Sequence, residues 1–146
     1  MRDLERLEQE VASWAGVSVH RHRFGGREFQ LGAAEIGHIH PGGILDIPFP
    51  RSIRDALLAE GLASEHHWVP NSGWTSFRIR TEENFRHALW LLRLSYLRYA
   101  LKSASNPRNL LEQENERLHL NPRFKALLEP FVPKPATPIS TKPVST

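Results

Sequence analysis

The stretch EIGHIHPGGILDIPF, residues 35–49, decides the fold. Two runs containing β-formers flank Pro41-Gly42-Gly43, so the segment reads as a hairpin. The loop length then fixes which side chains share a face. A two-residue loop at Gly42-Gly43 would set His40 opposite Leu45 and Ile39 opposite Asp46, mixing polar and apolar groups on both faces. A three-residue loop, Pro41-Gly42-Gly43, sets Ile39 opposite Leu45 and His38 opposite Asp46. Only this register gives one apolar and one polar face. It also asks Gly43 to take a left-handed conformation, which glycine adopts freely. The three-residue loop is therefore predicted, with His38, His40 and Asp46 on the face turned away from the core.

Working outward, VSVHRHR (17–23) and REFQLGA (27–33) are short β-rich runs separated by Phe24-Gly25-Gly26, a second hairpin upstream. Its alternation leaves the side taken by His20 and His22 open. Before it, Leu4, Leu7, Val11 and Trp14 recur at helical spacing, and Gly16 ends that helix. Downstream, residues 51–60 read as a helix closed by Gly61. ASEHH (63–67) is a candidate short strand, WVPNSG (68–73) a loop and WTSFRIR (74–80) a strand that alternates Thr75, Phe77 and Ile79 with Ser76, Arg78 and Arg80. Thr81 is positioned to cap a long helix, with Glu82 and Glu83 in the first turn where the dipole favours acids. Phe85, Leu89, Leu92, Tyr96 and Tyr99 form its apolar stripe, and Arg86, Arg93 and Arg98 read as its solvated face. Residues 107–130 suggest two closing helices. The order predicts an α+β domain: a mostly antiparallel sheet of about five strands, helices on one face, the other face more open.

A chain of 146 residues supports one domain with a real core. Residues 1–130 form that domain in this reading. The last seventeen residues hold five of the eleven prolines and no acid, so residues 131–146 are expected to be a disordered tail. With no cysteine, disulfides and thiolate metal sites are excluded. A net charge of only +3, two units of it from the tail, gives little footing for a nucleic-acid surface. No apolar run is long enough to cross a membrane, and the expected setting is the cytoplasm.

The polar face carries the chemistry. His38, His40 and Asp46 supply two imidazoles and a carboxylate, a set that suits a divalent ion such as zinc, iron or manganese. His66 or His67 could complete the shell. Arg78 should share this face and favours a small anionic ligand. Trp74 and Ser76 belong to the same strand, and an aromatic ring beside a loop can stack on a ligand. Ser72 and Ser76 are not set in a nucleophile elbow, so acyl transfer is not indicated.

Three spaced motifs carry a resemblance. E-x-x-H-x-H-x-x-G-x-x-D at Glu35–Asp46, G-x-A-x-x-H-H-x-x-P-x-S-G-W at Gly61–Trp74, and A-x-x-L-L-R-L-S-Y at Ala88–Tyr96 together resemble the small "luciferase" domain family of bacterial and fungal sequences. The resemblance covers about residues 15–100, with 107–130 as a helical extension. It carries over His38, His40 and Gly43 as the His-x-His-x-x-Gly core. The family's label implies light-emitting oxidation, whereas no flavin or nucleotide motif is read in the chain. The helix ending in Ser-Tyr after a Gly-Trp strand is similar to MmcQ/YjbR-type α+β domains, which implies architecture alone. The leading expectation is a ligand- or metal-binding domain with a catalytic role at the histidine face. The alternative is a non-catalytic module that docks a partner protein.

Overall fold

The hairpin at the centre of the chain closes as its pattern requires. The His40 amide donates to the Ile44 carbonyl and the Gly43 amide to the His40 carbonyl, each at 2.9 Å. Strands β3 (Ala34–Ile39) and β4 (Ile44–Pro48) pair with His38 opposite Asp46 and Ile39 opposite Leu45. Gly43 takes φ +85°, the left-handed turn that lets a three-residue loop keep this register.

The computed structural model describes residues 2–66 and 72–134. Around the central hairpin it places α1 (Arg2–Ala12), β1 (Val17–His22), β2 (Gly26–Leu31), α2 (Arg51–Ala59), β5 (Ser64–Glu65), β6 (Trp74–Arg78), α3 (Glu82–Ser103), α4 (Pro107–Leu118) and α5 (Pro122–Leu128). The sheet is antiparallel throughout, in the order β1-β2-β3-β4-β6-β5. It has six strands rather than about five, because the two-residue β5 completes the far edge. Between β4 and β6 the chain is pinned at Gly73. The Phe49 amide donates to the Gly73 carbonyl at 2.9 Å. A Cβ on Gly73 would sit 2.2 Å from the Phe49 carbonyl oxygen, so only glycine fits there.

Helices cover one face. Phe29, Ile36, Ile39, Leu45 and Ile47 are buried beneath α1 and α3. The α3 N-terminus is capped as expected, the Thr81 hydroxyl accepting from the Asn84 amide at 3.0 Å. Unlike a surface helix, α3 is buried around most of its girth, from Phe85 to Leu101. That overturns part of the solvated-face reading. Arg86 is exposed, but Arg93 pairs with buried Glu114 and Arg98 reaches the Pro48 carbonyl. Periodicity on one helix does not reveal a second helix packed against its polar stripe.

The C-terminal helices begin with Asn106 and Asn121 accepting from the amides of Asn109 and Phe124. α4 packs on α3 and α5 on α2, burying Leu111, Phe124 and Leu128. Both therefore extend the helical layer, and neither packs on the histidine face. Phe131 and Val132 also pack against the core, so ordered packing runs past residue 130. Residues 135–146 of the expected tail lie outside the described residues.

Candidate functional site

Cross-strand partners point to the same side of a sheet, and the observed registers line up one polar row. His20 faces Glu28, Glu28 faces His38, His38 faces Asp46, Asp46 faces Ser76 and Ser76 faces Ser64. A β-bulge adds a group that strict alternation hides. The β2–β3 register skips Ile36, so Phe29 pairs with Gly37 and Gln30 with Glu35. The extra residue resets the alternation: Ile36 drops into the core and Glu35 turns to the histidine face. α3 holds the bulge, the Ser95 hydroxyl donating to the Ile36 carbonyl at 2.7 Å.

Asp46 is the centre of the site and is wholly buried. Its Oδ1 accepts from the Ser76 hydroxyl at 2.6 Å. Its Oδ2 meets the Nε2 atoms of His40 at 2.8 Å, His38 at 3.3 Å and His66 at 3.4 Å. Burial pushes the Asp46 pKa up, but hydrogen bonds from His38, Ser76 and His40 prevail and hold it well below the ordinary carboxylate range. His38 mirrors it. Burial opposes its charge, yet hydrogen bonds to Asp46 and to Glu35, whose Oε2 lies 3.3 Å from Nδ1, raise its pKa to about 9. Burial raises Glu35, helped by its contact with Glu28. His22 stacks on His38, ring centroids 3.9 Å apart at 16°. Burial and the adjacent His38 charge lower its pKa.

A pocket of about 360 Å³ opens over this cluster, lined by His22, Arg23, Phe24, His38, His40, Asp46, His66 and Trp74. Trp74 forms a wall, 5.3 Å from the His38 ring and 5.9 Å from that of His66. Phe24 stands at the mouth with 92% of its surface exposed and φ +56°, a strained conformation for an aromatic residue.

The structure thus brings together His38, His40 and Asp46, on the face the hairpin register implies, and sets His66, Trp74 and Ser76 beside them. Arg78 follows the same alternation but sits opposite Ile44, exposed and away from the pocket lining. His67 lies outside the described residues, as does Trp68. Arg23, His22, Glu35 and Phe24 also contribute, and the sequence pattern marks none of them as site residues. His22 sits at the end of a strand whose facing the sequence left open. Glu35 was hidden by the bulge. Phe24 carried a signal, an aromatic residue beside two turn glycines, which reads as hairpin punctuation.

Among the described residues, two groups could hold an ion. One ring nitrogen each of His22, His38 and His40 lies within 4.8 Å of the others, and a second group joins Glu28, Glu35 and His38. His38 and His40, expected as ligands, fall in the first group. Asp46 instead lies beside them as a shared hydrogen-bond acceptor.

Residues 33–95 match the luciferase domain family. The matched segment begins just before β3 and ends at Ser95, the residue that holds the bulge. It carries Asp46, Ser76, Trp74 and three of the four pocket histidines, while His22 and Phe24 precede it. No curated protein and no solved structure matches the chain. Among the described residues, no helix is long and apolar enough to cross a membrane.

Proposed function

We propose that the histidine pocket binds a small, flat ligand bearing an anionic or hydroxyl oxygen, and that its histidines exchange a proton with that ligand. The supporting observation is Asp46, a fully buried carboxylate that orients three imidazoles at the floor of a pocket. Burying ionised groups is a poor way to stabilise a fold. Strongly displaced proton affinities in a cleft are the mark of a working site.

The roles follow from the contacts. Asp46 keeps its charge and accepts a hydrogen bond from the Nε2–H of His40 at 2.8 Å. The lone pair of His40 is then on Nδ1, which can accept a ligand proton, and Asp46 stabilises the imidazolium that results. His38 carries its charge at neutral pH and supplies a cation for an anionic oxygen. Phe24 and Trp74 offer ring faces to a flat skeleton. A concave pocket favours this reading over a docking module, which needs a broad surface.

Calorimetric titration with salicylate, a flat ring carrying a carboxylate and a hydroxyl, tests the reading. Saturable 1:1 binding is expected, weakened about tenfold or more by His40→Ala and unchanged by Arg78→Ala. If neither salicylate nor simple benzoates and phenols bind the folded protein at millimolar concentration, the reading fails.

A further inference from the structure

Three of the pocket histidines are gathered more tightly than proton exchange requires. His22 comes from the end of β1, while His38 and His40 come from the β3 end of the central hairpin. Their ring centroids are 3.9 Å (His22–His38), 5.0 Å (His38–His40) and 5.6 Å (His22–His40) apart. His40 meets the other two nearly edge to face, at 84° and 69°, while His22 and His38 lie nearly parallel at 16°, so one of these two rings turns when all three nitrogens converge. Asp46 and Glu28 hold these rings in place, and a shared cation would add a reward that crowded imidazoles do not give one another.

The geometry points to a divalent transition ion held by His22, His38 and His40, with its remaining coordination positions turned into the pocket. This deepens the pocket reading above and rests on it for the ligand that would share the ion. One nitrogen of each ring already lies within 4.8 Å of the other two. A carboxylate backs every ring: Asp46 stands beside His38 and His40, and Glu28 Oε1 lies 3.3 Å from His22 Nδ1. His38, held between Asp46 and Glu35, gives up its proton and one of these two contacts when it takes the ion. Carboxylates placed behind metal-binding imidazoles fix the tautomer and raise ligand basicity. Asp46 therefore orients ligands rather than serving as one, with its Oδ1 satisfied by Ser76 and its Oδ2 by histidines. An all-imidazole set selects zinc, copper, nickel or ferrous iron over magnesium, calcium or manganese. Three protein ligands with an open side are the pattern of a reactive ion rather than a structural one.

The test uses the full chain, stripped with EDTA and dialysed, then titrated with cobalt(II) alone and zinc(II) alone. Wild type should bind each at 1:1 with micromolar or better affinity, cobalt giving visible absorption bands. His22→Gln, which keeps a polar side chain of similar size, and His40→Ala should each weaken binding by ~100-fold or more. Asp46→Asn should weaken it by only ~10-fold to ~100-fold, since it removes an orienting partner. His20→Ala, an exposed histidine two residues from His22, should match wild type, and thermal melts of the variants guard against unfolding. Absence of 1:1 binding in wild type overturns the site. Binding kept by His22→Gln but abolished by Asp46→Asn overturns this ligand set. Salicylate titration of the stripped protein separates the two readings: salicylate bound without metal uptake overturns the ion alone, and metal uptake without salicylate overturns the ligand pocket alone.

Discussion

The described residues bury charge on both sides of the sheet, and two of these places are built differently. On the helical side, Arg93 reaches Glu114 through Nε and a second guanidinium nitrogen, and exposed Arg117 flanks the same carboxylate at 3.7 Å, so permanent cations alone surround this acid. The Arg93 guanidinium also lies over the rings of Trp14 and Tyr96, at 5.1 and 4.6 Å. Every group there has what it needs, and the pair joins α3 to α4. On the open side, one carboxylate oxygen of Asp46 is shared by three histidines at the bottom of a pocket. A surplus of titratable partners facing open space suits a group meant to move protons or hold a cation.

The sharpest way to break that comparison is to remove each acid in turn. Glu114→Ala leaves a guanidinium that cannot shed its charge, and should cost about 3–5 kcal/mol in urea denaturation. The Arg93→Met/Glu114→Leu double variant should recover most of that loss, because matched apolar groups replace a buried pair well. Asp46→Ala should cost less, about 1–3 kcal/mol, since histidines can release protons and reach pocket water. It should also abolish salicylate binding, which the Glu114 variants leave intact. Equal costs at the two acids with binding untouched would make the Asp46 cluster another structural pair.

The pH profile separates the two regions next. The folded-state pKa of His38 is raised from 6.5 to about 9. Its contribution is therefore complete below 6.5 and is lost as pH rises through about 9, at most about 3 kcal/mol. Asp46 has the opposite sign: its contribution is present above the ordinary value of 3.8 and is lost as pH falls below it. Between about pH 4 and 6.5 the lowered His22 and the raised Glu35 act with opposite signs, and above 6.5 urea midpoints should decline toward pH 9. His38→Gln should flatten the upper decline. A decline that persists in His38→Gln would assign the pH dependence to another group.

The same contrast explains what could be read from the chain. The hairpin register was legible because face segregation admits only one loop length, and it placed His38 and Asp46 opposite each other. The Thr81 cap was legible because its signal is local. Glu35 was not, since one extra residue at Ile36 reverses the parity that alternation relies on. His22 sits where a strand gives way to a turn, and Val19 and Arg21 on either side of His20 gave no clear inward face. Arg93 and Arg98 read as solvated on the helix pattern because their partners, Glu114 and the Pro48 carbonyl, lie far away in sequence. That Asp46 would be wholly buried was beyond a one-dimensional pattern: alternation gives a face, and only the pocket walls give depth.

The smallest expected effect falls on Phe24, and its sign is opposite. This residue contributes almost nothing to the core at 92% exposure, and it holds a left-handed backbone at φ +56°. Such a conformation costs an aromatic residue roughly 1–2 kcal/mol. Asparagine tolerates it far better, so Phe24→Asn should stabilise the fold by about 0.5–1 kcal/mol. A thermal melt would read this as a rise of roughly 2 °C. If the strain is kept to hold a ring at the pocket mouth, the same variant should weaken salicylate severalfold while cobalt affinity stays that of wild type. A more stable variant that binds salicylate as before would make Phe24 a turn residue and leave Trp74 as the aromatic wall of the site.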